Sequence, residues 1–382
     1  MSGELWGPLV TTFIQGFLFS LTVGTMMKNW IDGYEERTWQ TTTEGTVRYA
    51  LIGLGWWTVD LALPAIRESE LGEVTTLVSS SAEKATRLAE ENDIEHGVSY
   101  EQFHDGVAAD DYDAVYIGTP NSYHLEYVET AADLGKAALC EKPMESTVER
   151  AEQMVDAAES ADIPLMIAYR MHTDPAVQRA RELIEDGFIG EPVSVYGNNS
   201  QPLLKMIPDE DQWRLDPDRS GYGTSVMDLG IYSINTARYL LDRDPIAVQS
   251  RMSSHHEAFS SVPDERSGAL FALEDGVHMV TTDSQHAHED TQLKITGTEG
   301  QIDMRPAFHG ECRLHLSRGD LTVTVEHDEF DSQSEMREEF DYFADRVLSG
   351  AEIHADGQYG LQDLRIIRAM HEANETGDVV EL

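Results

Sequence analysis

The stretch Val47-Arg48-Tyr49-Ala50-Leu51-Ile52-Gly53-Leu54-Gly55 constrains the fold of this chain more than any other. A short apolar run with β-branched and aromatic members reads as a buried strand, and here it passes directly into two glycines one residue apart. A strand, such a turn and a helix in succession make a phosphate-binding corner. The first glycine permits the tight turn, the second lets a ligand approach the backbone, and the helix start offers free N–H groups and a positive dipole end. Trp56 and Trp57 follow, and Thr58 stands where the usual pattern has a third glycine. Thr58 is small enough to permit close packing of the helix predicted over 59–68. A glycine pair alone is a weak signal; its surroundings make it a stronger one.

Strand and helix patterns alternate from there. Strands are predicted over 74–78, 113–118, 137–141 and 165–168, with helices over 125–134 and 146–161. This is the rhythm of a doubly wound parallel sheet of about six strands, complete near residue 170. In such sheets ligands bind beyond the carboxyl ends of the strands. The residues delivered to that rim are Ser79, Ser80 and Ser81, then Thr119-Pro120-Asn121 with His124 just inside the next helix. Cys140-Glu141-Lys142-Pro143 and Tyr169-Arg170 complete it.

Composition sharpens two of these positions. The chain carries 70 acidic against 27 basic residues, a formal net charge of −43, and only six lysines. Such a field repels nucleic acid and anionic membrane surfaces, which removes both from the expected partners. Acid excess spread over the whole chain fits a solvated surface adapted to a high-salt cytoplasm. Against that background Lys84 and Arg87, just after the serines, read as partners of a 2′-phosphate. An NAD site would instead hold Asp or Glu at the end of the second strand. NADP is therefore expected, with NAD binding more weakly. The bland alternative is a polar helix start, with Ser81 as N-cap and Glu83 paired to Arg87. Lys142 stands out for the same reason: Pro143 biases it away from helix and fixes the direction of its side chain. Its own bland reading is a surface pair with Glu141. Cys140 and Cys312 lie in no metal or redox spacing, so a reducing compartment is the default and the expected location is cytoplasmic.

After residue 170 the pattern changes. A helix over 175–186 and a strand over 193–198 lead to a polar loop holding Trp213-Arg214, then to a helix over 225–241 containing Asp228-Leu229-Gly230-Ile231-Tyr232-Ser233-Ile234-Asn235. Asp228 and Tyr232, four apart, share a helix face, and Gly230 leaves room for a neighbour. The bland reading is a buried tyrosine bonded within its own helix. Seven alternating segments between 248 and 325 predict one large, mostly antiparallel sheet, and helices over 335–348 and 360–376 close the chain. Three parts are expected: an extension over 1–46, a dinucleotide-binding α/β domain over 47–170, and an α+β domain over 171–382 for substrate binding and oligomerisation. Residues 5–27 are uncharged and apolar but lack a basic flank. A translation start at Met26 or Met27, a weak anchor and an arm that packs on a partner subunit all remain open. A metal site at His255-His256 or His286-x-His288 is not expected, since spacing supplies no partner carboxylate.

The glycine turn, the Glu141-Lys142-Pro143 strand end and the Asp-x-Gly-x-Tyr-x-x-Asn helix, in this order, resemble the Gfo/Idh/MocA oxidoreductase family across nearly everything after Val47. Many members carry His where this chain has Tyr232. The Tyr-and-Asn form, with Trp213-Arg214 ahead of it, resembles the glucose-fructose oxidoreductase and NADP-dependent aldose dehydrogenase branch. The resemblance implies a Rossmann domain, an open sheet used partly for homo-oligomers, a site between them, and a cis Pro143. It also implies a sugar substrate and NADP-dependent oxidation of a cyclic aldose, D-xylose first, at C1 to the lactone. A phenol is a weak acid and needs a nearby cation to serve as base, so Tyr232 is the expected base, Lys142 its cation, and Asp228 the residue that orients Lys142 or binds a sugar hydroxyl. Glu141 is expected on backbone or on the nicotinamide ribose, with Arg170, Trp213 and Arg214 lining the sugar pocket. The alternatives are the reverse reaction on a keto-sugar and a non-catalytic NADP-binding regulator on the same fold.

Overall fold

The computed structural model describes residues 37–310, 312–326 and 332–382; the apolar segment 5–27 lies outside the described residues. Strands β1 (Val47–Ile52), β2 (Gly72–Ser79), β3 (His96–Ser99), β4 (Ala114–Ile117), β5 (Ala137–Glu141) and β6 (Leu165–Ala168) form one parallel sheet in the order β3-β2-β1-β4-β5-β6. The order reverses beside β1, which is where a doubly wound sheet leaves its ligand crevice. Strand β3 is the one that the hydrophobic pattern missed. It is four residues long and carries Gly97, where an added Cβ would lie 2.5 Å from the backbone of Ala85. Close helix packing, not a run of apolar side chains, holds this edge.

The glycine turn forms as its composition dictates. Gly53 has φ +88°, and a Cβ there would meet the Gly118 carbonyl at 2.8 Å. Thr58 is fully buried, and a Cβ on Gly118 would lie 2.6 Å from its Oγ1. The space that a third glycine would give to helix packing is thus supplied from β4. The helix begins with a π-helical turn, Thr58–Ala62, and continues as Leu63–Glu68.

The second sheet contains β7 (Pro192–Pro202), β8 (Pro245–Ser253), β9 (Arg266–Leu273), β10 (His278–Ser284), β11 (His286–Gly297), β12 (Gly300–Met304), β13 (Arg313–Arg318), β14 (Leu321–Glu326) and β15 (Val380–Glu381). Its order is β14-β13-β12-β11-β7-β10-β9-β8-β15, antiparallel throughout except for β7 beside β10. One face packs on helices Ile231–Leu241 and Gly357–Thr376. Helix Ser332–Ser349 crosses back to the first sheet, with Phe340 edge-on to Tyr49 and Tyr116 at centroid distances of 5.5 and 5.2 Å. Among the described residues no helix is long and apolar enough to cross a membrane.

Two buried carboxyls support the helix that carries Asp228 and Tyr232. Asp264 accepts from the Thr224 and Val226 N–H groups at 2.7 and 2.9 Å and caps its start. Asp283 on β10 lies under Gly230, where a Cβ would come within 2.9 Å of its Oδ2. Burial pushes Asp264 up to about 7 and Asp283 up to about 8. The folded protein therefore keeps protons that unfolded carboxyls, titrating near about 4, have released. Stability contributed by these groups is full below pH ~4 and is lost as pH rises toward about 8, by at most ~1.4 kcal/mol per pH unit for each group. Melting at constant molar KCl is expected at a lower temperature at pH 8.5 than at pH 5.5, and Asp283→Asn is expected to be at least as stable as the parent at pH 8.5. A variant whose melting temperature runs parallel to and below that of the parent across this range would show that the proton on Asp283 does not carry the effect.

Candidate active site

The rim of the first sheet and the start of helix Ile231–Leu241 bring the predicted constellation together. The Lys142–Pro143 peptide is cis. The Lys142 ammonium donates to the Asp228 carbonyl at 2.9 Å and to Asp228 Oδ1 at 3.0 Å, and it lies 4.7 Å from the centre of the Tyr232 ring. The surface Glu141–Lys142 pair therefore does not form. Asp228 lies in a π-helical turn, Val226–Gly230, and its other oxygen accepts from Arg214 Nε at 3.0 Å and Gln285 Nε2 at 2.9 Å. Burial opposes the charge on both groups. Even so, Tyr232, Asp228 and Glu141 hold the Lys142 ammonium above the ordinary lysine range, and Lys142, Arg214 and Gln285 hold Asp228 well below the carboxylate range. Lys142 is thus a fixed cation and Asp228 a fixed anion at neutral pH.

Tyr232 is nearly buried, and its hydroxyl accepts from Arg170 Nε at 3.3 Å instead of bonding within its helix. This changes the reading of Arg170. Its guanidinium is buried, forms an ion pair with Glu335, donates to His309 Nδ1 at 2.8 Å, and stands 5.5 Å from the Trp57 ring. With its donors engaged this way, Arg170 holds Tyr232 from behind; it is not the open sugar ligand expected from sequence. Arg214 binds Asp228 through Nε and lies over the Trp213 ring at 4.5 Å, so the pair reaches the site as one stacked unit. Asn121, Pro143, Trp213, Arg214, Thr224 and Asp228 line a narrow cleft beside these groups. Asn235, the last residue of the helix motif, serves the core: it bonds His172 at 2.6 Å and Asp363 at 2.8 Å.

The cofactor positions divide into contacts and braces. Nothing lies within 4 Å of where a Cβ on Gly55 would project, so the backbone is open there for a pyrophosphate. The Thr119 Oγ1 is buried without a partner at the same rim. Lys84 Nζ sits 2.6 Å from the Leu54 carbonyl, beside the glycine turn, while Ser79 ends β2 and Ser80 follows it. Ser81 is the N-cap, as the bland reading had it, but Arg87 pairs with Glu91, not Glu83. The ammonium facing the turn is that of Lys84. These residues fit a dinucleotide carrying a 2′-phosphate.

Three of the expected cofactor positions are also bonded within the protein. His124 is fully buried with its two ring nitrogens on the Thr119 and Met144 carbonyls, at 2.9 and 3.1 Å. Asn121 donates to the Ser220 carbonyl at 2.8 Å. Glu141 accepts from Trp57 Nε1 at 2.9 Å and the Tyr116 hydroxyl at 2.7 Å, so one of its oxygens locks the glycine turn to β5 and is not free for a ribose. Trp57 is held by that bond, whereas Trp56 is half exposed; Pro120 precedes a short helical turn, Asn121–Tyr123. Among the described residues no three His, Cys, Asp or Glu side chains cluster as a metal site, and His286 Nδ1 is 3.1 Å from Glu265. Gln285, His309 and Glu335 were invisible to sequence reasoning, because each reaches the site from a segment at least 57 residues away from its partner.

Comparison with known proteins agrees with this architecture. Residues 47–169 match the oxidoreductase family with an NAD-binding Rossmann fold, and residues 177–303 match the GFO/IDH/MocA C-terminal domain. The chain is 50% identical over 355 residues to D-xylose 1-dehydrogenase [NADP(+)] of Haloarcula marismortui, covering 92% of this chain and 98% of that protein. It is 30% identical over 338 residues to D-xylose 1-dehydrogenase (NADP(+)) 2 of Haloferax volcanii, covering 87% and 99%. Among solved structures, the aldose-aldose oxidoreductase of Caulobacter crescentus in complex with glycerol superposes with a TM-score of 0.82 at 30% identity, over 88% of this chain and all of that one. With both halves matched in sequence and the parallel sheet, rim and second sheet assembled as that family requires, the chain belongs to the Gfo/Idh/MocA oxidoreductases.

Proposed function

We propose that this protein oxidises a cyclic aldose, D-xylose first, at C1 with NADP, releasing the aldonolactone. The observation that carries the reading is the Lys142 ammonium, fixed 3.0 Å from Asp228 Oδ1 and 4.7 Å from the Tyr232 ring at the carboxyl rim of a parallel sheet. The 50% identity to an NADP-dependent D-xylose 1-dehydrogenase supports the choice of sugar and cofactor. Residues 47–170 hold the dinucleotide, with Gly53, Gly55 and Thr119 at the phosphates and Lys84, Ser79 and Ser80 at the 2′-phosphate. Residues 171–382 supply the sugar site and the subunit contact. When bound, the nicotinamide supplies the hydride acceptor for C1. The protein's task is then to take the anomeric hydroxyl proton. Lys142, held as an ammonium, cannot take it, which leaves the Tyr232 oxygen as acceptor, with Arg170 and Lys142 holding the phenol in place. Asp228 positions Lys142, and Trp213 offers a face for the sugar ring.

A homo-oligomer through the second sheet is supported by a cross-strand row on its outer face. Leu270, Val280 and Tyr196 are paired neighbours and are 49, 40 and 41% exposed. Cys140 and Cys312 are buried free thiols, in keeping with a cytoplasmic setting. The test of function is a panel of aldoses and polyols in molar KCl with NADP and NAD, followed at 340 nm with the product identified. D-xylose is expected among the best substrates, NADP is expected to give a higher kcat/KM than NAD, and the lactone is expected as product. A flat trace with every sugar would sink the proposal, and keto-sugar reduction without aldose oxidation would reverse its direction.

A further inference from the structure

His309 sits on the loop between β12 and β13 in a left-handed conformation, φ +65°, that residues other than glycine seldom adopt. Such a conformation persists only where the surroundings enforce it. Here they do. The Ala307 N–H donates to Thr291 Oγ1 at 3.0 Å and the Gly310 N–H to Glu335 at 3.2 Å, while Phe308 is buried against the Tyr232 ring. The loop thus presses the His309 ring edge-to-face onto Tyr232, with 4.9 Å between centroids.

The bonding of this ring fixes its tautomer. Arg170 can only donate, so the Nδ1 that it meets at 2.8 Å carries the lone pair. Burial, with Arg170 and Lys142 beside it, pushes the imidazole down to about 3, so it is neutral and its hydrogen is on Nε2. That Nε2 is buried and has no partner among the described residues. A buried donor without an acceptor, beside the base and within the field of Lys142 and Asp228, is a vacancy of the kind that a ligand oxygen fills.

We propose that His309 is a substrate-contact residue whose Nε2–H donates to a hydroxyl oxygen of the sugar held beside Tyr232, making discrimination among sugars depend on that hydroxyl. This rests on the aldose reading given above. Arg170 then has a double duty: one guanidinium sets the base through Nε and the specificity donor through its terminal nitrogen.

Two variants separate the donor from the scaffold. Asparagine can offer Arg170 an amide oxygen near the Nδ1 position but reaches no further, whereas glutamine can place an amide N–H near Nε2. Kinetics in molar KCl would use D-xylose and its monodeoxy analogues with the parent, His309→Asn and His309→Gln. The parent is expected to discriminate about 100-fold or more in kcat/KM against one monodeoxy sugar. His309→Asn is expected to lose about 100-fold on D-xylose, mostly in KM, while treating that deoxy sugar no worse than before, so that the discrimination disappears. His309→Gln is expected to recover most of it. If His309→Asn weakens every sugar by one common factor, or leaves KM for D-xylose unchanged, the histidine does not contact substrate. If both variants fail to fold, the ring is a structural part and the proposal falls. A parent enzyme inert toward all aldoses would take down the functional reading as well, which distinguishes that failure from a failure of His309 alone.

Discussion

Replacing Tyr232 by phenylalanine is expected to lower kcat with D-xylose by about 10²–10⁴, the range that a positioned proton acceptor contributes. The substitution removes one oxygen and little else: the ring keeps its contacts with Phe308 and His309 and its place under the Lys142 ammonium. What is lost is the atom that Arg170 Nε meets at 3.3 Å. Affinity for NADP should stay within a few-fold of the parent, because the dinucleotide positions at Gly53, Gly55 and Lys84 belong to other elements. Quenching of tryptophan fluorescence by NADP can read this separately, since Trp56 and Trp57 stand on the glycine turn. Turnover of Tyr232→Phe close to that of the parent would remove Tyr232 as base. Lys142 would then be the next group to test, since Tyr232 is the first of the neighbours that hold its ammonium against burial.

Lys142→Ala is expected to cost turnover on the same scale, about 10²–10⁴, for a different reason. The ammonium ties Asp228 to the Tyr232 ring, and without it the site loses the cation fixed 4.7 Å from that ring. The loss should fall in kcat while affinity for NADP stays within a few-fold of the parent, which a purely structural defect would not produce. Removing one partner of a buried pair is ordinarily strongly destabilising. Here Asp228 keeps Arg214 and Gln285, so the loss of melting temperature should be modest. A common loss in kcat and in affinity for NADP, together with a large loss of stability, would show that Lys142 matters to folding instead of to the proton transfer.

These two residues were legible in the sequence because each is marked locally: Lys142 by its place between a strand end and a proline in a lysine-poor chain, Tyr232 by its spacing from Asp228 across Gly230. Their mutual approach did not follow from chain order, because Lys142 stands at a strand end of the first sheet and Tyr232 on a helix packed against the second; only the family resemblance implied it. The predicted cofactor corner was marked locally as well, and its weak point, Thr58, was resolved by a glycine 60 positions on, at Gly118, that no local pattern connects to it. Glu141, His124 and Asn121 stand at the expected rim, but the bonds they make to neighbouring groups were not legible. A polar side chain at a rim can face a ligand or bind a neighbouring carbonyl, and only its surroundings decide. The π-helical turns at Thr58–Ala62 and Val226–Gly230 were equally out of reach, because hydrophobic period does not encode which carbonyl an N–H selects.

By itself, then, the sequence determined the succession of elements, the parallel sheet with its glycine turn and the antiparallel second sheet, since all of these rest on period, turn chemistry and chain order. Tertiary structure alone decided how Lys142, Asp228 and Tyr232 are charged and confined. Arg170 belongs to Tyr232 and not to open solvent, Asp228 is clamped by three donors, and His309 is left with one unused hydrogen-bond donor. Those outcomes depend on burial and on contacts between segments up to 165 residues apart. In a buried site the energy of a charge or a hydrogen bond is set by what lies within a few ångströms in space, and separation along the chain does not enter it.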